Sequence, residues 1–265
     1  MPLSVCVGQP QITAMTDDEI VAVSVRRDNI LEDVLALYSS DPYMVLHKLH
    51  VSFVGEEGDD FGGLTKDFFT SFWIAAFKEF FYGEDVVVPY LPLHRAKSDL
   101  PKFVTIGRIL THCVALTGSF PVRLCMLSIM CTVFGEHTVD ESDVIDNFLL
   151  FVTPAERSLL KVALRDFAAL GPDEQESLCN FFQAYGLFDL PRPSRFKEQL
   201  CTLAEDILLS RPSRLCEAMR KGVPDLHFTV FWSELTLPYL KSCTKVRGRT
   251  VTSWQLVLSP TVRLY

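Results

Sequence analysis

The 265-residue chain is long enough to bury one large core or the cores of two smaller lobes. Hydrophobic residues make up 48% of the chain and charged residues 22%, a balance typical of a folded protein and not of a disordered one. The net charge of -8 at pH 7 gives nucleic acids and anionic membranes no general attraction, so we expect proteins or small molecules as partners.

The apolar stretches and the cysteines indicate which cellular compartment the protein occupies. No stretch approaches the roughly 18 apolar residues that span a bilayer, and the first residues lack the basic and apolar regions of a secretory signal. The eight cysteines form no C-x-x-C pair, and most fall within apolar helical patterns. This usage favours reduced thiols in a cytoplasmic or nuclear protein. The six histidines show no paired metal-ligand spacing, so we expect no metal ion and no other cofactor.

Regular patterns begin after a polar tail over residues 1–18. Alternating apolar residues from Ile20 to Val25 predict a short strand, and "RRDNILEDVLALYSS" has the apolar spacing of a helix. A second strand is predicted from Leu49 to Val54. The stretch "TKDFFTSFWIAAFKEFFYG" predicts a helix that Gly83 ends. Its apolar face should lie in the core and consists of Phe69, Phe72, Trp73, Ala76, Phe77 and Phe80.

Most of the remaining chain shows helical spacing. Helices are predicted at about 102–118, 121–134, 141–151, 154–170, 173–188, 194–222 and 230–242. A strand-like stretch follows at 250–258. These patterns predict an α+β fold that is mainly helical, with a few short strands. Gly171 and Pro172 mark a break between a main helical part over residues 19–170 and a smaller subdomain with a C-terminal segment over residues 171–265.

Residues 55–63 concentrate four glycines and four carboxylates between two apolar stretches. Gly58 and Gly63 have the spacing of a phosphate-binding loop. However, Leu64 and Thr65 stand where that loop needs lysine followed by serine or threonine, and the acids would repel a nucleotide. A calcium loop needs alternating oxygen ligands and a distant glutamate, which this run does not supply. Both ligand hypotheses are weaker than an architectural one.

An architectural role accounts for more of these residues. Gly62 and Gly63 permit a sharp turn whose backbone conformation is closed to other residues. Thr65 can cap the helix that follows, and Asp67 is favourable near the positive end of that helix. We expect Asp60 to lie within reach of the same helical amides or of Lys66. We therefore interpret the stretch as a tight entry into a core helix.

The same stretch resembles the F-x-G-E-x-G-x-D-x-G-G-x-x-R-E-x-F signature of the HECT domain of E3 ubiquitin-protein ligases. The residues at the signature positions are Phe53, Gly55, Glu56, Gly58, Asp60, Gly62, Gly63, Lys66, Asp67 and Phe69. Only Lys66 and Asp67 differ from the signature, and both keep its charge. Two further segments are similar to the family in the same order, namely "VRRDNILED" upstream and "FVTIGRILTHCVALTG" with Gly107 and Arg108 downstream.

The resemblance implies an N-lobe that recruits a ubiquitin-charged E2 enzyme. The family also has a C-lobe, whose cysteine accepts ubiquitin as a thioester before transfer to a protein substrate. This chain shows no recognisable C-lobe loop of that kind, and its weak candidate is Cys243, where Ser242 replaces the expected threonine. The resemblance therefore implies a HECT-type N-lobe over residues 19–265 that lacks a recognisable catalytic cysteine.

Two sets of residues follow from the resemblance as hypotheses. The aromatic cluster Phe181, Phe182, Tyr185 and Phe188 falls where the family's apolar E2-binding groove lies in chain order, with ordinary core packing as the alternative. Arg108 lies on an apolar helix face and needs a partner if it is buried. Asp60 or Glu56 is the partner that we expect for it.

The sequence thus predicts an incomplete HECT-type ubiquitin-protein ligase domain, able at most to recruit an E2. A catalytically inactive HECT-like scaffold or protein-interaction module is the rival hypothesis. A third hypothesis is that the chain is part of a longer protein whose C-lobe follows Tyr265. The protein substrate and the preferred E2 are not encoded in any pattern that we recognise.

Overall fold

The computed structural model describes residues 20–56, 62–135 and 139–223. They form two compact units, each built from separate stretches of the chain. The first unit draws on Met1–Glu79, Pro92–Val122 and Ala218–Tyr265, and the second on Phe80–Leu91 and Arg123–Glu217. The break predicted at Gly171 therefore lies within the second unit. The polar tail, the helix near 230–242 and the strand-like stretch at 250–258 lie outside the described residues.

The first unit begins with a parallel strand pair. Strands β1 (Ile20–Val25) and β2 (Lys48–Phe53) pair in register from Ile20 opposite Lys48 to Val25 opposite Phe53. Helix α1 (Ile30–Ser40) provides the crossover that parallel strands require. The apolar alternation of the sequence is confirmed, because Val23, Val25, Val51 and Phe53 are all buried.

Helix α2 (Gly63–Phe80) carries the aromatic face that the sequence predicts. All six residues of that face are buried: Phe69, Phe72, Trp73, Ala76, Phe77 and Phe80. Two details differ from the prediction. The helix begins at Gly63, so Thr65 is a buried residue of its first turn and not its cap. The helix also ends before Gly83, because it stops at Phe80 and the next residues, Phe81–Tyr82, form a strand.

Helix α3 (Ala96–Thr117) begins well before the predicted start at Lys102 and contains Pro101. An ion-pair cluster stabilises this first part of the helix: the buried Asp99 carboxylate lies 2.6 Å from Arg95 Nη2 and 3.0 Å from Lys102 Nζ. Helix-spaced ion pairs of this kind support a helix start that proline alone would disfavour. The helix ends as predicted at Gly118, whose φ of 65° is left-handed.

The second unit is a helical cluster with one small hairpin. Strands β3 (Phe81–Tyr82) and β4 (Val88–Pro89) pair antiparallel. The helices are α4 (Met126–Phe134), α5 (Glu141–Phe151), α6 (Pro154–Arg165), α7 (Pro172–Ala184), α8 (Phe196–Glu205) and α9 (Ser213–Gly222), and α9 ends in the first unit. A π-helical turn at Asp206–Ser210 separates α8 from α9, where the sequence predicts one helix over 194–222.

The described residues are mainly helical with a few short strands, which confirms the predicted α+β class. Thr153 caps α6, since its Oγ1 accepts a hydrogen bond from the Glu156 amide at 3.3 Å. None of the described helices has the length and apolar character needed to cross a membrane.

Candidate functional site: the glycine-rich turn and its supports

The glycine-rich stretch changes chain direction between β2 and α2. Gly55 and Gly62 have φ values of 84° and 90°, in the left-handed region that glycine adopts without strain. Gly63 is the first residue of α2, and Lys66 is exposed in the first turns of that helix. The sharp turn predicted from the sequence is therefore present at Gly62. The signature residues Gly58 and Asp60 lie outside the described residues.

Arg27 holds the two described acids of the signature. Its guanidinium group donates hydrogen bonds to both carboxylate oxygens of Glu56, with Nη2 lying 2.9 Å from Oε2, and Nη2 lies 2.6 Å from Asp67 Oδ2. The same group lies 3.8 Å above the centre of the Phe53 ring, a cation–π contact. We call these four residues the Arg27 clamp. It joins the segment before α1, the end of β2 and the start of α2.

In the Arg27 clamp, the positive charge of Arg27 and the negative charges of Glu56 and Asp67 stabilise one another. Hydrogen bonds from Arg27 lower the pKa of Glu56 and of Asp67 below their usual values, and the two acids raise the pKa of Arg27. These carboxylates are therefore ionised and already paired at neutral pH. They are poorly suited to proton transfer, and the described part of the stretch offers no cradle for a phosphate.

Sequence reasoning missed Arg27 as the partner of these acids. The parallel register would have indicated it, because Val25 lies opposite Phe53 and the ends of both strands meet at one edge of the pair. Of the two partners expected for Arg108, Glu56 is wrong, because Arg27 binds Glu56 and no Glu56 contact with Arg108 is present among the described residues. Asp60, the other expected partner, lies outside the described residues. Arg108 instead donates from Nη1 to the Tyr38 carbonyl at 3.0 Å. It thus satisfies a carbonyl in the last turn of α1, a group that helices leave unbonded.

Gly107 permits a close helix crossing. A Cβ atom at this position would lie 1.9 Å from the Met219 carbonyl oxygen of α9. Gly222 makes the reciprocal contact, since a Cβ atom there would lie 1.9 Å from the Val104 carbonyl oxygen of α3. The two backbones approach each other so closely that neither helix can carry a side chain at its contact point. The predicted structural role of Gly107 thus has a partner in Gly222 that the sequence did not indicate.

A buried hydrogen-bonded chain fixes α3 against its neighbours. His112 Nε2 donates to the His47 carbonyl at 2.8 Å, so Nδ1 is the acceptor and the Tyr38 hydroxyl donates to it at 2.6 Å. Tyr38 and His112 are both fully buried. Burial lowers the pKa of His112 to about 4, so the ring is neutral at pH 7. This histidine is therefore a buried, hydrogen-bonded group that links α3 to α1 and to the segment before β2.

The aromatic cluster predicted as an E2 surface is divided by the fold. Phe181 and Phe182 are buried, and Tyr185 is half-buried with its ring centre 4.9 Å from that of Phe181. Phe188 points outward with 81% of its surface exposed, and Leu190 is exposed beside it in the chain. Phe188 and Leu190 therefore expose most of their side chains to a partner, whereas Phe181 and Phe182 do not.

Cys243, the weak candidate for a catalytic cysteine, lies outside the described residues. Burial raises the pKa of Cys113 to about 12, which makes that thiol a poor nucleophile. No cluster of three or more His, Cys, Asp or Glu residues in the described ranges could hold a metal ion. The arrangement is therefore one of structural supports under an exposed surface.

No protein-family model matches the chain, and no curated protein matches it either.

Replacing Arg27 by Met should lower the thermal unfolding midpoint by about 2 to 4 °C at low salt. The methionine keeps an apolar contact on Phe53 but leaves Glu56 and Asp67 without their cation. Because the clamp is partly exposed, added salt should screen the repulsion and narrow the difference from the wild type. Scanning calorimetry at two ionic strengths measures both effects. An unchanged midpoint at low salt would show that the clamp adds no stability.

Proposed function

We propose that the chain is a HECT-type N-lobe that binds a ubiquitin-charged E2 enzyme and does not itself form a ubiquitin thioester. The observation that carries the proposal is the Arg27 clamp. It gives Glu56 and Asp67, two acids of the signature, a structural partner, which is the role expected of a platform and not of a catalytic centre. The resemblance of the sequence to the HECT signature supplies the identity of the partner.

The exposed end of the 181–188 cluster is the proposed point of contact with the E2. Phe188 is 81% exposed and Leu190 is 64% exposed, whereas Phe181 and Phe182 are buried. Large apolar side chains that remain exposed beside a packed base are typical anchors of protein interfaces.

Replacing Phe188 by Ala should weaken E2 binding at least about tenfold, because truncating an interface anchor commonly costs more than about 1 kcal/mol of binding energy. Leu93, which is 94% exposed in the first unit, provides the matched control as Leu93→Ala. Isothermal titration calorimetry against a panel of E2 enzymes measures both variants. Equal affinities for the two variants would place the E2 surface elsewhere.

The second part of the proposal is tested by a charging reaction. The chain is incubated with E1, E2, ubiquitin and ATP, and the products are separated with and without reducing agent. We expect no ubiquitin adduct on the chain that reduction removes. A reducible adduct that disappears in Cys243→Ser would contradict the proposal and identify a working catalytic cysteine.

The burial of Phe181 and Phe182 favours a second candidate, a HECT-like scaffold without E2 binding. Burial of these rings removes half of the predicted aromatic surface from solvent. The calorimetric titration separates the two candidates, since a scaffold would bind none of the E2 enzymes tested.

A further inference from the structure

Three cysteines of the second unit lie close together where α4 packs near the start of α9. The Cys216 thiol is hydrogen-bonded to Cys131, and Cys125 is near enough to affect it electrostatically. Cys125 and Cys216 are buried, whereas Cys131 is partly exposed. All three are reduced in the structure. One thiol of a contacting pair is thus open to solvent and the other is enclosed.

A cavity explains how a small molecule reaches this pair. It has a volume of about 460 Å³ and is lined on the α4 side by Leu127, Met130 and Cys131. Its other wall includes Leu209 and Ser210 of the π-helical turn and Ser213 of α9. Cys216 follows Ser213 by about one helical turn, in agreement with its contact with Cys131. Since the space is large enough for water and small solutes, Cys131 is accessible from the cavity, whereas Cys216 is buried and does not line it.

Cys131 and Cys216 have different chemical environments, and the difference determines which thiol reacts first. The hydrogen bond to Cys131 raises the pKa of Cys216 well above its usual value, and burial adds to the effect. Cys216 therefore keeps its proton and donates it toward the Cys131 sulfur. Cys131 is the partly exposed member of the pair, so an oxidant in solution meets its sulfur before that of the buried Cys216. Cys131 is thus the better placed of the two to react first.

We propose that Cys131 and Cys216 form a peroxide-sensitive modification site. The Cys131 thiolate attacks one oxygen of hydrogen peroxide, so that an S–O bond forms, the O–O bond breaks, and the leaving hydroxide takes a proton to become water. The Cys216 sulfur then attacks the Cys131 sulfenic acid. An S–S bond forms, the S–O bond breaks, and the hydroxide leaves with the Cys216 proton as a second water. Both sulfurs are oxidised and the peroxide is reduced.

The consequence is a reversible covalent link between α4 and α9. A disulfide that forms in a reduced protein is typically transient and regulatory, and thiol reductants restore the dithiol. This inference is independent of the proposed E2 binding, because it uses neither Phe188 nor the Arg27 clamp.

The test oxidises the full chain with graded hydrogen peroxide and maps disulfides by mass spectrometry of non-reduced peptides. We expect a peptide pair joined through Cys131 and Cys216 that dithiothreitol removes. Cys179 provides the matched control, since it is also partly exposed but lies on α7. Cys179→Ser should leave the yield of this pair unchanged, and Cys131→Ser should abolish it.

A second variant keeps the proposal falsifiable if the disulfide forms slowly. In Cys216→Ser, the Cys131 sulfenic acid has no resolving thiol and should accumulate as an adduct with dimedone, by at least about tenfold over the wild type. Circular dichroism checks that this variant is folded. Should it fail to fold, the wild-type peptide map alone decides. Joining of Cys131 to any other cysteine, or an unmodified Cys131 at peroxide levels that oxidise Cys179, would overturn the proposal.

Discussion

Replacing Gly107 by Ala should destabilise the protein by about 3 kcal/mol, at the upper end of what overpacking a core usually costs. The new Cβ atom would lie 1.9 Å from the Met219 carbonyl oxygen and 2.6 Å from its carbonyl carbon. Both are backbone atoms of α9, so no rotation of a side chain relieves the clash. The two helices would have to move apart along their contact. Urea unfolding at pH 7, followed by circular dichroism, measures the loss.

Gly63→Ala is the matched control for this experiment. Gly63 begins α2, and a Cβ atom there would have no other atom within 4 Å. Alanine favours the helix over glycine by up to about 1 kcal/mol, so this variant should be as stable as the wild type or slightly more stable. If Gly107→Ala unfolded at the same urea concentration as Gly63→Ala, α3 and α9 would not approach each other as closely as described.

Acidification from pH 7 to pH 4 should cost about 3 kcal/mol of stability through His112 alone. The pKa of this buried ring is about 4 in the folded protein, whereas the ordinary value of 6.5 applies to the unfolded chain. Between these two values the unfolded chain binds the proton and the folded protein does not. The contribution of His112 is therefore complete above pH 6.5 and is lost as the pH falls toward 4. Urea unfolding across this range gives the free energy of unfolding at each pH.

Two measurements assign this pH dependence to His112. An NMR titration of the folded protein should show the ring protonating near pH 4, and a midpoint near 6.5 would contradict the account. Tyr38→Phe removes the hydroxyl donor and leaves the buried Nδ1 acceptor without it. That change should cost about 1 to 3 kcal/mol at pH 7. Tyr43→Phe, at a 70% exposed position, should cost almost nothing.

The sequence predicted those parts of the fold that local periodicity determines. The aromatic face of α2 and the strand β1 follow from spacing alone, because burial of one face repeats with the period of the element. The start of α3 was misplaced, since Pro101 looked like a break. The Asp99 ion pairs that stabilise this part of the helix become visible only when three side chains are placed together. The π-helical turn before α9 likewise leaves no periodic signal.

In the candidate site, too, features set by neighbouring residues were predictable, whereas contacts between residues far apart in the chain were not. The left-handed turn at Gly62 was predictable, because only glycine tolerates that backbone conformation cheaply. Arg27 was missed, since it lies 29 residues from Glu56 and 40 from Asp67, and only the strand register brings them together. The partner of Gly107 was also missed, because a glycine in a distant helix carries no signal of what it contacts.

The discontinuous first unit has a consequence for synthesis. Its helix α3 contacts the residues around Met219 and Gly222, so this part of the unit cannot close until that segment has left the ribosome. The second unit, encoded within Phe80–Leu91 and Arg123–Glu217, is itself completed only immediately before that segment. Because domains generally fold as units during translation, both units should become protease-resistant late in synthesis and close together in time. Nascent chains stalled before Glu217 has left the ribosome should therefore be cleaved by protease in both units.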